Sequence, residues 1–245
     1  MPRHVPLIWR VARVDDIRME SPTATTIVLE VPEWPGHLAG QHVDVRLTAD
    51  DGYEAQRSYS IASPPGESQL ALTVERIDSG EVSPYLTDEL RTGDQLELRG
   101  PIGGYFTWQA ADGGPLVLIA GGSGLVPLMA MLRHRDAATD EIAVHLLVSA
   151  RTLPAVLYHD ELSRRAGRGI DVRYTLTRDA PAGWTGWVRR VDTDMLREIG
   201  AVPDRRPLLY VCGPTGFVEH VAGLLVDLGH DPHTVKTERF GPSGG

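Results

Sequence analysis

Cysteine is nearly absent from this chain: Cys212 is the only one among 245 residues. A single cysteine excludes an internal disulfide, a cysteine-built zinc site and an iron–sulfur cluster held by four thiolates of this chain. Any metal-centred electron chemistry therefore belongs to a partner. No apolar run approaches the ~18 residues that cross a bilayer. The opening segment MPRHVPLIWR lacks the apolar centre of a signal peptide, so the expectation is a cytoplasmic protein with no membrane contact. Positive charge is also short. Lys and Arg number 24 against 33 Asp and Glu, and the net charge of −9 argues against a general nucleic-acid surface while leaving room for a local basic pocket.

What is present describes a folded protein. Hydrophobic residues at 42% can build a core, and 26 Gly with 18 Pro stay below the level of low-complexity disorder. The length suits one large domain or two ordinary ones, and the texture changes at the polar stretch 109–114, Gln-Ala-Ala-Asp-Gly-Gly. The expected division is 1–110 and 113–245. Before it, alternating runs rich in β-branched residues recur at Thr25–Val31, His42–Leu47, Gln56–Ala62, Leu70–Arg76 and Gln95–Arg99, which reads as antiparallel strands of a small barrel. One helix is expected there, Ser83 to Leu90, with Ser83 as its cap and Pro84 in its first turn.

After the linker, wholly apolar strands alternate with helical stretches. The strands are expected at Leu116–Ala120, Ile142–Ala150, Ile170–Thr177, Leu208–Cys212 and Thr234–Phe240. The helices are expected at Leu125–Arg135, His159–Ala166, Thr193–Ile199 and Thr215–Leu228. That pattern predicts a parallel sheet covered on both faces.

Five short segments could carry chemistry. Arg57-Ser58-Tyr59-Ser60 offers a guanidinium fork for phosphate, an aromatic face and a hydroxyl; taken alone, it also fits a solvated strand face. The turn Asp78 to Pro84, with Gly80, Val82 and Ser83, leads into a helix start that suits an anion, or is simply a capped helix. In Leu116 to Pro127 a strand, the turn Gly121-Gly122-Ser123-Gly124 and a helix let a pyrophosphate approach backbone, although Pro127 stands where a third fingerprint glycine would be. Cys212-Gly213-Pro214 ends another strand, where open α/β sheets bind ligands; a lone buried cysteine is equally at home there as a small hydrophobe. The tail carries Glu238 and Phe240. The nine histidines lack ligand spacing and receive no role, and no metal site is expected.

In this order, Arg-x-Tyr-Ser, Gly-x-Val-Ser, Gly-Gly-x-Gly-x-x-Pro, Cys-Gly-Pro and Glu-x-Phe, the motifs resemble the ferredoxin–NADP reductase superfamily over essentially the full length. The resemblance implies a six-stranded antiparallel flavin barrel followed by an α/β nicotinamide-nucleotide domain. It implies FAD rather than FMN, with Arg57 at the flavin phosphates, Tyr59 stacked on the ring and Ser60 at its reacting edge. Ser58, within that motif, is expected to bind the cofactor with them. Gly80, Val82 and Ser83 match the pyrophosphate turn, and Gly100 to Gly103 with Phe106 match the segment closing the flavin domain. Gly121, Gly122, Ser123 and Gly124 match the nucleotide loop, where many relatives have threonine in place of Ser123. Cys212, Gly213 and Pro214 match the nicotinamide segment, and Phe240 falls where relatives place an aromatic against the flavin. Ser60, Cys212 and Glu238 are the expected catalytic set.

NADPH is expected over NADH. Ser149, Arg151 and Arg178 resemble phosphate-binding positions of NADPH-using relatives, although Trp187 stands where some relatives carry a third arginine. No fused Cys-x4-Cys-x2-Cys module is present, so electrons are expected to leave singly to a separate ferredoxin-like carrier. The alternatives are the reductase component of a multicomponent oxygenase and a flavin-bearing regulatory subunit without turnover.

Overall fold

An alternating strand has one face to bury, and the first half of the chain meets that need by closing a sheet on itself. The computed structural model describes residues 7–49, 51–138 and 142–241. Strands β1 (Trp9–Ser21), β2 (Ala24–Glu30), β3 (His42–Thr48), β4 (Glu54–Ser60), β5 (Leu70–Glu75) and β6 (Gln95–Ile102) form an antiparallel sheet in the order β4-β3-β6-β1-β2-β5. Ile61 bridges Leu72, which ties the two outer strands together and closes the barrel. Its interior is filled by Val14, Ile27, Leu29, Val43, Val45, Leu72, Leu96 and Leu98.

The sixth strand, β1, is absent from the alternation pattern of the sequence. Arg10, Arg13, Asp15, Asp16 and Arg18 interrupt its apolar face, and register shifts between Val14 and Asp16 and between Met19 and Ser21 break the period of two. The expected helix Ser83–Leu90 is helical over residues 83–89, with a first i→i−4 bond from Leu86 to Val82, but widens to a π-type turn over Tyr85–Glu89, in which the Leu90 N–H reaches back to the Tyr85 carbonyl. Ser83 does not cap it. Its hydroxyl instead accepts the Ile77 N–H at 3.0 Å and ties down the preceding turn. Strand β4 also begins two residues before the expected Gln56.

The second half is a five-stranded parallel sheet, β11-β10-β7-β8-β9, from β7 (Leu116–Gly121), β8 (Val144–Ala150), β9 (Ile170–Leu176), β10 (Leu208–Pro214) and β11 (Val235–Phe240). Helices α1 (Leu125–Ala137) and α2 (His159–Arg165) cover one face, and α3 (Thr193–Glu198) and α4 (Thr215–Asp227) the other. Burial on both faces is why the strands read as continuous apolar runs. Among the described residues no helix is long and apolar enough to cross a membrane.

The two sheets share a core. Ala24, Ala39, Ala62, Phe106 and Trp108 of the first half belong to the same buried cluster as α1. Small residues let the surfaces approach: Gly40 has φ +98°, and a Cβ there would stand 2.8 Å from the Met131 methyl. Polar groups fix the register of the seam. Arg133 of α1 donates to the Ala62 carbonyl at 2.7 Å, pairs with Glu161 at 2.6 Å and lies over the Tyr158 ring. The Tyr158 hydroxyl donates to Thr73, which shares a hydrogen bond with Thr26, and Thr26 donates to Glu20. Lys236, the one lysine of the chain, donates to the Thr107 carbonyl and to the Tyr210 hydroxyl.

Arg133→Met leaves the Ala62 carbonyl and part of Glu161 without their donor. The expected loss is about 2–4 kcal/mol in urea unfolding, whereas Arg197→Ala, which removes an exposed pair with Asp194, is expected to cost under about 1 kcal/mol.

Candidate active site

The chain leaves β7 toward β8 and β9 on one side and returns as β10 and β11 on the other, so the order reverses between β7 and β10. Open α/β sheets bind ligands in the crevice at such a switch point, beyond the carboxyl ends of the strands. Two glycine-bearing turns meet there. A Cβ on Gly124 would stand 2.6 Å from the Gly213 nitrogen and closer still to the Cys212 carbonyl, while Cβ atoms on Gly121 and Gly213 would each come to 2.7 Å from the Phe217 ring. Gly122 instead has φ +55° and open space around its Cβ position. Gly122 and Ser123 are therefore half-exposed at the start of α1, where free N–H groups and the helix dipole favour an anion.

Cys212 is buried, in register with Ala120 on one side and Glu238 on the other. Burial, then the neighbouring Glu238, raises the thiol well above its ordinary range, so it is a thiol and not a thiolate. Glu238 is itself unusual. Its Oε2 is sealed from solvent with no hydrogen-bond partner among the described residues, and burial raises the carboxyl to about 7. Its Oε1 lies 3.7 Å from Nδ1 of His42, at the start of β3 in the barrel. His42 is the register partner of Ser60, the last residue of β4. Ser60, Cys212 and Glu238, expected as a set, are thus linked around one cleft through His42, a residue given no role from sequence. Phe240 is half-buried opposite Pro214 and packs on the shared core.

The flavin motif divides its tasks. Arg57 is exposed, with its guanidinium 3.4 Å from Glu81, so it reaches the Asp78–Pro84 turn. Tyr59 packs on the barrel core, and burial pushes its hydroxyl up to about 12. The Ser58 hydroxyl donates to Asp44 at 2.6 Å, and Asp44 also accepts from Arg99, so this side chain is committed within the barrel. Val82 is wholly buried and serves the core, and Gly80 closes a tight turn through its N–H to the Ile77 carbonyl.

Toward the β9 edge of the sheet, Ser149 is the penultimate residue of β8, and the Arg178 N–H bonds the Arg151 carbonyl at 3.0 Å. The two arginines therefore stand on adjoining loops, both exposed, with no ion-pair partner among the described residues. Trp187 bridges Thr175 at the sheet edge, and Arg189 is paired with Asp192.

Comparison with known proteins gives the same division. Residues 12–107 match the family model of the oxidoreductase FAD-binding domain, and residues 118–223 match that of the oxidoreductase NAD-binding domain. The chain is 35% identical to ferredoxin–NADP reductase B of Sorangium cellulosum, covering 94% of this chain and 96% of that protein. The chain belongs to the ferredoxin–NADP reductase superfamily. It carries that superfamily's FAD-binding and NAD-binding domains in the usual order. It is also 30% identical to the flavohemoprotein of Bordetella pertussis over 96% of its own length, and spans 61% of that protein. The structure of an Amycolatopsis cytochrome P450 reductase superposes with a TM-score of 0.83 at 26% identity, over 98% of this chain and 72% of that one.

The sealed Glu238 carboxyl generates a pH prediction. Below the ordinary value of 4.5 it is protonated in both folded and unfolded chains. As pH rises from 4.5 to about 7 the unfolded chain ionises first, so stability falls, and above 7 the full cost of up to about 3 kcal/mol applies. Glu238→Gln is therefore expected to gain about 2–3 kcal/mol on the parent between pH 5 and pH 8 in chemical denaturation. A difference independent of pH would contradict the assignment.

Proposed function

We propose that this chain is an FAD-dependent NADPH reductase that passes electrons singly to a separate ferredoxin-like carrier, in the cytoplasm, with the division between its two domains at 110–113. The observation that carries the reading is the meeting of the β4, β10 and β11 ends in one cleft, where Ser60, Cys212 and Glu238 are linked through His42. The residues fit both cofactors: an exposed arginine beside a turn, an open glycine loop at a helix start and a buried carboxyl oxygen without a partner among the described residues.

Bound FAD would supply hydride acceptance from reduced nicotinamide and single-electron release, chemistry that no side chain supplies. The chain's work is to hold, orient and shield. Arg57 and the backbone of Gly80 to Ser83 would hold the flavin phosphates, Tyr59 would stack on the ring, and Ser60 would hydrogen-bond at its reacting edge. Gly121, Gly122, Ser123 and Gly124 would cradle the nucleotide diphosphate. Cys212, Gly213 and Pro214 form the wall for the nicotinamide, with Phe240 covering the ring opposite. Glu238, protonated through much of the range below about 7, can donate a hydrogen bond without adding negative charge to that wall.

Arg151 and Arg178 support NADPH, because two exposed guanidinium groups on adjoining loops, without an ion-pair partner among the described residues, suit a monophosphate. Asp179, whose N–H also reaches the Arg151 carbonyl, keeps the preference finite. End-to-end coverage of the Sorangium reductase supports a ferredoxin as acceptor.

Anaerobic NADPH added to the flavin-loaded protein is expected to bleach the oxidised flavin bands, and mass spectrometry of the released flavin to give FAD; unchanged bands would leave a binding subunit without turnover. In steady-state assays Arg151→Ala is expected to lower the NADPH-to-NADH ratio of kcat/KM by about tenfold or more. An unchanged ratio would remove Arg151 from nucleotide selection.

A further inference from the structure

The barrel contributes one ionisable side chain to the nucleotide wall. His42 sits at the first position of β3, between Ser60 of β4 and Ile102 of β6, and its Nδ1 points across the seam to Glu238 of β11. The imidazole is left uncovered on that side by Gly103. This glycine has φ +96°, and a side chain there would begin 3.6 Å from Nδ1. Gln41 holds the same loop by donating to the Gly103 carbonyl at 2.6 Å.

The charges around the pair are otherwise accounted for. On β3, Asp44 accepts from Ser58 and Arg99. On β11, Lys236 is turned to the Thr107 carbonyl and Tyr210, and Arg239 to Glu219. On β10, Cys212 is a buried thiol, and β6 presents no charged side chain at Ile102 or Gly103. Among the described residues His42 is therefore the one basic side chain that faces the Glu238 carboxyl, and it belongs to the other domain. The second carboxyl oxygen, Oε2, has no partner among the described residues.

We propose that His42 is the positioning residue for Glu238: the flavin-domain imidazole fixes the nucleotide-domain carboxyl beside Cys212, and the two side chains bind one proton jointly across the cleft. This rests on the reading of the cleft as the meeting place of flavin and nicotinamide. Burial lowers the tendency of His42 to take a proton and raises that of Glu238, so near neutrality the shared proton resides on the carboxyl. The imidazole is then an acceptor that orients it. Their separation of 3.7 Å exceeds a hydrogen bond and closes with a small side-chain movement. A pair of this kind titrates as a unit, so altering one member moves the titration of the other.

The test uses the flavin-loaded full chain and two independent readouts. The first is NMR titration of the His42 imidazole between pH 5 and pH 9. In the parent the His42 ring signals are expected to show an inflection near pH 7 as the Glu238 carboxyl takes up its proton, and Glu238→Gln is expected to abolish it; the same His42 titration curve in both proteins would overturn the proposal. The second is anaerobic stopped-flow reduction by NADPH against pH. His42→Phe is expected to slow reduction about fivefold or more, with NADPH affinity within about twofold, and to move the inflection to lower pH as the protonated carboxyl loses its acceptor. His42→Gln, which keeps an amide near the carboxyl, is expected to recover part of the rate. A reduction rate and pH profile equal to those of the parent in both variants would overturn the proposal. If the parent itself is not reduced by NADPH, the functional reading fails, and the NMR arm still decides whether the two side chains share a proton.

Discussion

The arrangement at the cleft depends on how closely the turn after β7 lies against the end of β10. Neither strand end can move in without glycine: Gly124 presses on the Cys212–Gly213 peptide, and Gly121 and Gly213 leave just the room that the Phe217 ring fills. That contact forms at the one place where the strand order reverses, so the crevice opened by topology is narrowed by side-chain absence. Gly122 and Ser123, between these contacts, stay half-exposed at the start of α1. The wall beyond them follows from register. Parallel pairing of β10 with β11 sets Glu238 beside Cys212 and Phe240 beside Pro214.

A cleft between two sheets is useful for chemistry only if the sheets keep their spacing, and the seam here is built to do so. Its apolar part is one continuous core, with alanines of the barrel against α1 and Phe106 edge-on to Tyr210 at 5.4 Å. Its polar part is directional. Arg133 and the Tyr158–Thr73–Thr26–Glu20 chain secure one end, and Lys236 secures the other. Buried hydrogen bonds of this kind add modest net stability when made and cost more when one partner is lost, so they resist sliding more than they add to stability.

Much of this was legible in the sequence because the two halves obey different periods. Alternation gave five barrel strands, apolar runs gave the parallel sheet, and the ordered motifs gave the family. The misses have physical causes. Strand β1 is hidden by charged residues and two bulges. The Tyr85–Glu89 turn bonds five residues back where an ordinary helix bonds four, which no residue pattern in that stretch marks. His42 carries no signal at all in its own neighbourhood, since its partner is nearly 200 residues away and meets it only when the domains pack.

The central claim is that the Gly124 contact sets the wall against which nicotinamide meets flavin, and anaerobic stopped-flow measurement of flavin reduction by NADPH tests it most directly. Gly124→Ala must displace the Cys212–Gly213 peptide, whereas Gly223→Ala on α4 enters open space. With FAD content retained in both, the account predicts reduction slowed about tenfold or more in Gly124→Ala and unchanged in Gly223→Ala. Parent-like reduction by a folded, flavin-loaded Gly124→Ala protein would contradict it.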